Sequence, residues 1–523
     1  MSFVRSKIKG VLSLSLMLMI HANTTAQSTS KNYVQTKTFL DENASTFLRH
    51  IDYYDELGVV SETVDVGGNT TNTPIKIKTD YNSQLKPIYQ WTPVPSVGYD
   101  YIDRYGIADA AEDAYGYYDS PYSEYGYDDF LQLTSSTKPG DAWRSHPVTI
   151  TRNVVPAGVV KKYSIDTNGN LVINGYHPYG LLTSATTTDE DGRSMTVFTD
   201  YHGNTVLERR GSDNDTYYVY DEYGRLSYVL PPMCQYCSTS ELSKYWYKYT
   251  YDDRGRCTEK QLPGCSVIMY WYDEANRLQS EQDGGLRSQS LYRNYKYDGI
   301  GRLVLQTISS TCGEATESNA TVVEVKNYYD DYTSCRQELS PLFSVWADSI
   351  NAAYLPPMVS RGRLTATLHT TSDDKRYFEM YGYDELGRMT YKLSAYSDKW
   401  LKSLHTAYNF VGDVSFSMES VYKHVGYPKY LMARRRITNS YHPGTRLLAT
   451  TTITHVDKNN NTSTQVISNP TYDVFGNVTA NNRPGTAADM TYTYDTLHGW
   501  LTGVSSPCGF SEQLQRETAT NAL

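Results

Sequence analysis

Residues 217–232 read YYVYDEYGRLSYVLPP and residues 247–264 read YKYTYDDRGRCTEKQLPG. The shared kernel is Tyr-Asp-x-x-Gly-Arg followed by an apolar residue. It returns as MYWYDEANRL from Met269, YKYDGIGRLVLQT from Tyr295 and MYGYDELGRMTYKLS from Met380. Related forms without the arginine are PTYDVFGNVTANNRPG from Pro470 and YTYDTLHGWLTGV from Tyr492. Repetition of this kind decides the architecture before composition does.

Each kernel reads as a β-hairpin. Ahead of the turn, Tyr218 and Tyr220, or Tyr247, Tyr249 and Tyr251, alternate at period two, which sets one row of rings on one face of a strand. Asp221, Asp252, Asp273, Asp298 and Asp384 open the turn, because a carboxylate accepts from backbone N–H groups two residues on. Gly224, Gly255, Gly301 and Gly387 close it at positive φ. Asn276 stands at that place in one copy, and Asn is among the few residues that tolerate the region. Arg225, Arg256, Arg277, Arg302 and Arg388 restart a strand, with stems long enough to lie across neighbouring tyrosine faces.

Weaker copies extend upstream at Tyr54-Asp55-Glu56-Leu57-Gly58, Asp166 to Asn170, Asp189 to Arg193 and Asp200 to Asn204. Wide gaps before Tyr383 and Tyr472 hold insertions or decayed copies, such as Arg361-Gly362-Arg363-Leu364. Irregular spacing argues against equal propeller blades and for a sheet that winds on, hairpin after hairpin. The 50 tyrosines, with abundant Thr and Val, suit a pleated surface better than a helix. The expected fold class is therefore all-β: successive hairpins forming a continuous wound sheet, shell-like or spiral, with a smaller β-rich N-terminal domain. The expected division is a signal peptide at 1–26, an N-terminal β-rich domain at 27–145, transitional hairpins at 146–215 and the repeat region at 216–523. Within the second part, Gly98 to Phe130 is acidic and rich in Tyr and Gly. It reads as a surface loop, with Ala108 to Ala114 as the one expected helix.

The first residues read as an export signal. Arg5, Lys7 and Lys9 precede an apolar run from Val11 to Ile20, and Thr24-Thr25-Ala26 supplies small residues before Gln27. A run of about ten apolar residues is too short for a membrane span, which takes about 20. Export through the Sec pathway is expected, to the periplasm, the cell surface or the medium. A formal charge of −10, with basic residues clustered only at Arg434-Arg435-Arg436, points away from nucleic acid. Cysteines at 234, 237, 257, 265, 312, 335 and 508 are odd in number and irregular in spacing, so a local disulfide or buried thiols is expected in place of a zinc site.

The kernels YDEYGRLSYV, YDDRGRCTEK, YDGIGRLVLQ and YDELGRMTYK resemble the YD repeat of the Rhs family of bacterial exported and surface proteins. The segment from Asn32 to about Arg144 is similar to the N-terminal domain that precedes such repeats in some members, through Tyr53-Tyr54-Asp55 and Pro139-Gly140-Asp141-Ala142-Trp143. The resemblance implies a β-sheet spiralling into a hollow shell around a C-terminal effector, which a core segment at the end of the shell cuts free. It also implies, in other members, adhesion or carbohydrate binding. After Gly509-Phe510-Ser511-Glu512 no kernel follows, so the effector is expected to be absent from this chain, which reads as a truncated or N-terminal portion.

Motifs for chemistry are sparse. HExxH, GxSxG, Gly-rich phosphate loops and complete EF-hands do not occur. Asp166-x-Asn168-x-Asn170 starts like a calcium loop but has His177 where the bidentate Glu belongs, so it reads as a turn. His146, His177 and His442 each precede Pro and belong to extended or turning backbone. Asp189 and Asp191 read as turn formers, not a glycosidase pair. The expectation is a protein that is not an enzyme, with no catalytic, cofactor or metal residues. Its partner is a C-terminal effector polypeptide, or surface glycans stacked on rings such as Trp246 and Trp271.

Overall fold

The computed structural model describes residues 31–116, 120–212, 214–352, 360–371, 375–396, 399–424, 430–483 and 489–514. The signal segment and the stretch from Arg516 to Leu523 lie outside the described residues. A 29-stranded sheet runs from Asn32–Phe39 to Thr462–Ser468, and a five-stranded sheet follows from Pro470–Tyr472 to Ser511–Gln513. Lys161–Ile165 and Leu171–Tyr176 form a separate hairpin. The all-β expectation holds, because nearly every strand pairs antiparallel with its neighbour in sequence. Tyr217 faces Leu230, Tyr228 faces Lys248, Lys248 faces Gln261 and Met269 faces Gln282. Pairing also runs across residues 145 and 215, with Ser135 opposite Thr149 and Leu207 opposite Tyr217.

This meander gives the ribbon two edges and two faces. Most kernels lie along one edge, and the longer connections between hairpins lie along the other, together with the kernel-like turns at Asp189 and Asp457. One face is covered. Tyr217, Val219, Tyr228 and Leu230 are buried beneath the 161–176 hairpin and the turns Pro232–Gln235 and Thr239–Lys244, which contribute Tyr163, Cys234 and Leu242. Farther along, Ala366, Leu368, Phe378, Met380 and Leu393 are buried beneath the helices Thr333–Leu342 and Ala347–Ala352, through Leu339 and Ile350, and beneath Trp346 of the turn Ser344–Trp346 between them. Between these patches the covered face is polar and largely satisfied, the buried Thr307 hydroxyl opposite Asn294 being an exception. Ser280 donates to Asn294 at 2.7 Å, Asn294 donates to the Ser309 hydroxyl at 2.8 Å, and Gly313 N–H donates to Ser280 at 3.0 Å. Paired in this way, polar groups at almost zero exposure avoid the penalty of an orphaned donor.

Three expectations need correction. The helix expected at Ala108 to Ala114 is present and longer, Arg104–Tyr115, but the rest of the Gly98–Phe130 stretch is not simply a surface loop, since it holds the strand Tyr122–Tyr127. Asp103 caps that helix by accepting from Gly106 N–H at 2.8 Å, and Ile107 and Ala111 bury its inner stripe against Trp91 and Val94. It is also not the one helix, since Thr333–Leu342 and Ala347–Ala352 cover the sheet. All seven cysteines are free thiols, with Cys234 and Cys335 buried, so the disulfide alternative falls and burial accounts for two of them.

Candidate functional site

The recurring kernel is a constellation of side-chain and backbone bonds that repeats from turn to turn. At Asp252, Oδ1 accepts from Arg254 N–H at 3.0 Å and Arg256 N–H at 2.9 Å, while Oδ2 receives Arg256 Nε at 2.7 Å. The backbone closes the loop with Asp252 N–H to Arg256 carbonyl at 3.0 Å and Gly255 N–H to Asp252 carbonyl at 2.9 Å. Gly224, Gly255, Gly301 and Gly387 sit at φ of 76°, 79°, 90° and 85°, and Asn276 at 63°. Each kernel also skips one residue in register where its strands meet, as between Val219 and Tyr220. A tight turn ending in a left-handed residue followed by a bulge is the three-residue hairpin loop.

Successive kernels are stitched together by the same two side chains. Arg225, Arg256 and Arg277 each reach the next kernel's Asp carbonyl, at 3.0, 3.3 and 3.4 Å to Asp252, Asp273 and Asp298. Their guanidinium carbons lie 5.0, 4.9 and 4.9 Å from the ring centres of Tyr251, Tyr272 and Tyr297. Arg388 does the same with the Asn409 carbonyl and Tyr408. In the opposite direction, Tyr251, Tyr272, Tyr297 and Tyr408 donate their hydroxyls to the carbonyls of Leu226, Cys257, Leu278 and Met389 at 2.7–2.9 Å. From Arg225 to Tyr408 the kernel edge is thus a seam of alternating arginine and tyrosine.

The kernel is wider than the sequence pattern. Asn82, Asp128, Asp166, Asp189, Asp200, Asp457 and Asp473 accept from the N–H two and four residues on, as Asp252 does. Leu85 and Leu131 hold the left-handed place at φ 60° without being glycine, which hid two copies from a search for glycine. His442 occupies the aspartate place of a further copy and receives Thr445 N–H at its carbonyl.

One copy is split. Asp330 N–H bonds the Arg363 carbonyl at 3.1 Å, Gly362 N–H donates to Asp330 Oδ1 at 2.6 Å, and Tyr329 faces Leu364. Arg302 grips the Asp330 carboxylate at 3.0 and 2.6 Å, and Arg363 goes on to the Asp384 carbonyl at 3.3 Å. Residues 332–360 are therefore an insertion inside a turn. Brought together, Tyr329-Asp330-Asp331 and Arg361-Gly362-Arg363 spell YDDRGR, identical to residues 251–256. The insertion carries both helices that cover the sheet.

The kernel carboxylates are engaged by backbone and arginine, which suits structure more than proton transfer. The Arg256 and Arg302 backbone N–H groups hold Asp252 and Asp298 below the usual carboxylate range. At Asp273 and Asp384 desolvation pushes upward, but hydrogen bonds from Arg277 and Arg388 prevail and the net shift is also downward. Asp330 is lowered to about 2 by the Arg302 guanidinium and Gly362 N–H. A carboxyl with a depressed folded-state pKa contributes stability above its unfolded pKa of about 4, and that contribution is lost as pH falls through the folded values. Melting temperature is thus expected to decline below about pH 4, and less steeply in Asp252→Asn/Asp298→Asn than in the parent. Parallel curves for the two proteins would remove the seam from the explanation.

The uncovered face carries paired charges and phenols. Arg293 lies 2.7 Å from Glu281 and 2.8 Å from Glu324, Lys392 lies 2.7 Å from Glu379, and Lys402 lies 2.8 Å from Glu419. Tyr270, Tyr295 and Tyr381 stand among them, half-buried. Burial pushes the Tyr295 and Tyr381 hydroxyls well above the ordinary phenol range, so both stay neutral. Trp246 instead packs on Tyr228, and Trp271 on Tyr292, with ring centres 5.0 and 5.6 Å apart.

The two ends of the ribbon meet. The kernel edge at 442–498 sits on the loop edge of the N-terminal strands. A Cβ at Gly67 would stand 3.0 Å from the Gly444 carbonyl oxygen, and the Gly68 carbonyl closes on Gly476, so neither place admits a side chain. Phe475 stacks on Tyr115 at 6.3 Å, and His498 Nε2 lies 3.0 Å from the Pro139 carbonyl. The sheet has wound back onto itself.

Solved structures of similar shape exist. The chain is similar to the crystal structure of TcdB2-TccC3, with a TM-score of 0.45 and 13% identity over 90% of this chain and 24% of that one. The crystal structure of TcdB2-TccC3-TEV gives a TM-score of 0.45 and 12% identity over the same shares. The chain thus spans about a quarter of the length of these structures. No protein-family model and no curated protein matches it.

Proposed function

We propose that the chain is a non-enzymatic, exported scaffold of the Rhs type, whose wound sheet encloses or presents an effector polypeptide in competition between bacteria. The contact between the kernel edge at 442–498 and the N-terminal loop edge carries this reading, because a ribbon that seats on its own earlier strands builds a wall. The stitched seam supports it too, since every kernel is used for construction. Export rests on the basic and apolar pattern of the first residues.

A polypeptide of high protease sensitivity, fused after Leu523, tests the proposal. It is expected to be cut much more slowly than the same polypeptide free in solution, and at the free rate once the wall is unfolded by denaturant. Cutting at the free rate with the wall intact would contradict enclosure. A second reading, surface carbohydrate binding, draws on the phenols and paired charges of the uncovered face. A glycan array on the purified chain tests it: retention of a defined sugar class, lost in Tyr270→Ala/Tyr295→Ala, is the result expected of that reading, and no retention ends it.

A further inference from the structure

The return contact shows what a kernel edge is shaped to meet. Where it lies against the N-terminal loop edge, the residue at the turn tip is covered: Leu497 is 7% exposed, beside Gly140. The equivalent tip Phe475 stacks on Tyr115. Elsewhere the same position projects into solvent. Tyr223 is 73%, Ile300 76% and Leu386 52% exposed, and Leu57 and Phe130 are exposed as well. Successive tips stand two strands apart, about 10 Å by ordinary strand spacing, and the exposed apolar ones are interleaved with Arg254, Ala275 and Arg361 at the same position, so the free edge mixes apolar and basic tips.

The opposite edge carries two exposed apolar groups of its own. Met233, Tyr236, Tyr396, Trp400 and Tyr430 are large, apolar and exposed, and all flank connections between hairpins. They occupy the edge that, in the N-terminal strands, receives Phe475 and Leu497.

We propose that the exposed kernel edge docks onto the loop edge of a second copy of this chain, repeating between molecules the contact made within one. The occupant is argued from continuity with the internal interface. The covered tips and the free tips belong to the same seam, and the receiving edge lies on the same ribbon. Such a contact is head-to-tail: it uses a different surface on each partner, so it leaves one edge of each kind open and permits growth beyond a pair. It stands whether or not the wall encloses a polypeptide.

Sedimentation velocity on the full chain over a concentration series tests the proposal. The parent is expected to associate with rising concentration and to pass beyond dimer. Leu57→Ser/Ile300→Ser/Leu386→Ser alters exposed tips only, so its melting temperature and circular dichroism should match the parent while association weakens about tenfold or more. Met233→Ser/Tyr236→Ser/Tyr430→Ser, on the other edge, should weaken association equally. Mixing the two variants leaves one sound edge on each and should give heterodimers that stop at two. A parent that stays monomeric overturns the proposal. So does association that both variants retain, or a mixture that fails to pair, either of which assigns the edges to a different partner.

Discussion

Glu62→Gln is expected to destabilise the N-terminal strands by about 3–5 kcal/mol, the usual cost of removing one partner from a buried charge cluster. Glu62, Lys76 and Lys78 have side chains between 0% and 3% exposed. The carboxylate lies 3.6 Å from Lys76 Nζ and 3.9 Å from Lys78 Nζ, and accepts from Ile102 N–H at 3.1 Å. The ammonium groups in turn hold the 99–103 segment, Lys76 at the Asp100 carbonyl and Lys78 at the Ile102 carbonyl and the Tyr101 hydroxyl. Burial raises the Glu62 pKa and lowers that of Lys76, a measure of what desolvation costs each charge. Glutamine preserves size but leaves two buried ammonium groups without a counter-ion. Glu62→Gln/Lys76→Met, which removes one of them, should recover part of the loss. Urea denaturation of the three proteins decides it, and a single variant within about 1 kcal/mol of the parent would show that the cluster is not held as described.

Excision of residues 332–360 should leave the turn intact and damage the face above it. The joined chain restores the hexapeptide of residues 251–256, so Asp330 gains its N–H donors locally and Arg302 keeps its carboxylate. The same excision removes Tyr332, Cys335, Leu339, Phe343, Trp346 and Ile350 from contact with the sheet. Uncovering Leu368, Phe378, Met380, Leu393 and Leu401 creates an apolar patch of the sort that drives association, and each large side chain loses on the order of 2 kcal/mol of burial. The shortened protein is therefore expected to fold with the Tyr329–Leu364 pairing, bind an apolar dye strongly and aggregate. The milder Trp346→Ala should lower stability by about 3–5 kcal/mol with the turn unchanged. A soluble excised protein that binds no dye would mean that the helices rest on the sheet without sealing it.

The hairpin grammar was legible because its physics is local. An acidic residue that accepts backbone N–H groups, a left-handed residue three places on and rings at period two all lie within ten residues of each other. The two helices over the sheet were not. Thr333–Leu342 has only Cys335 and Leu339 buried at one-turn spacing and contains Pro341, so its stability comes from packing on strands that follow it in sequence. The split turn was hidden for a related reason, since Tyr329-Asp330 lacks a glycine at the usual distance and Arg361-Gly362-Arg363 lacks an aspartate. Only the pairing of Val322–Tyr329 with Leu364–Thr370 joins the halves. Leu85 and Leu131 show the same limit on a smaller scale, taking a glycine's backbone because neighbouring strands impose it. The helix expected at Ala108 to Ala114 was legible, and its true start is set by Asp103 at the N-cap, with Ile107 and Ala111 on the buried stripe.

The central claim is that each kernel reverses the chain between two paired strands, and amide hydrogen exchange tests it most directly. Slow exchange is expected in the flanking strands, at Lys248, Thr250 and Glu259 for example, with fast exchange at the exposed turn residue Asp253 between them, repeated at the equivalent residue of each kernel. Protection running unbroken through Asp252 to Arg256, as in a helix interior, would contradict the account.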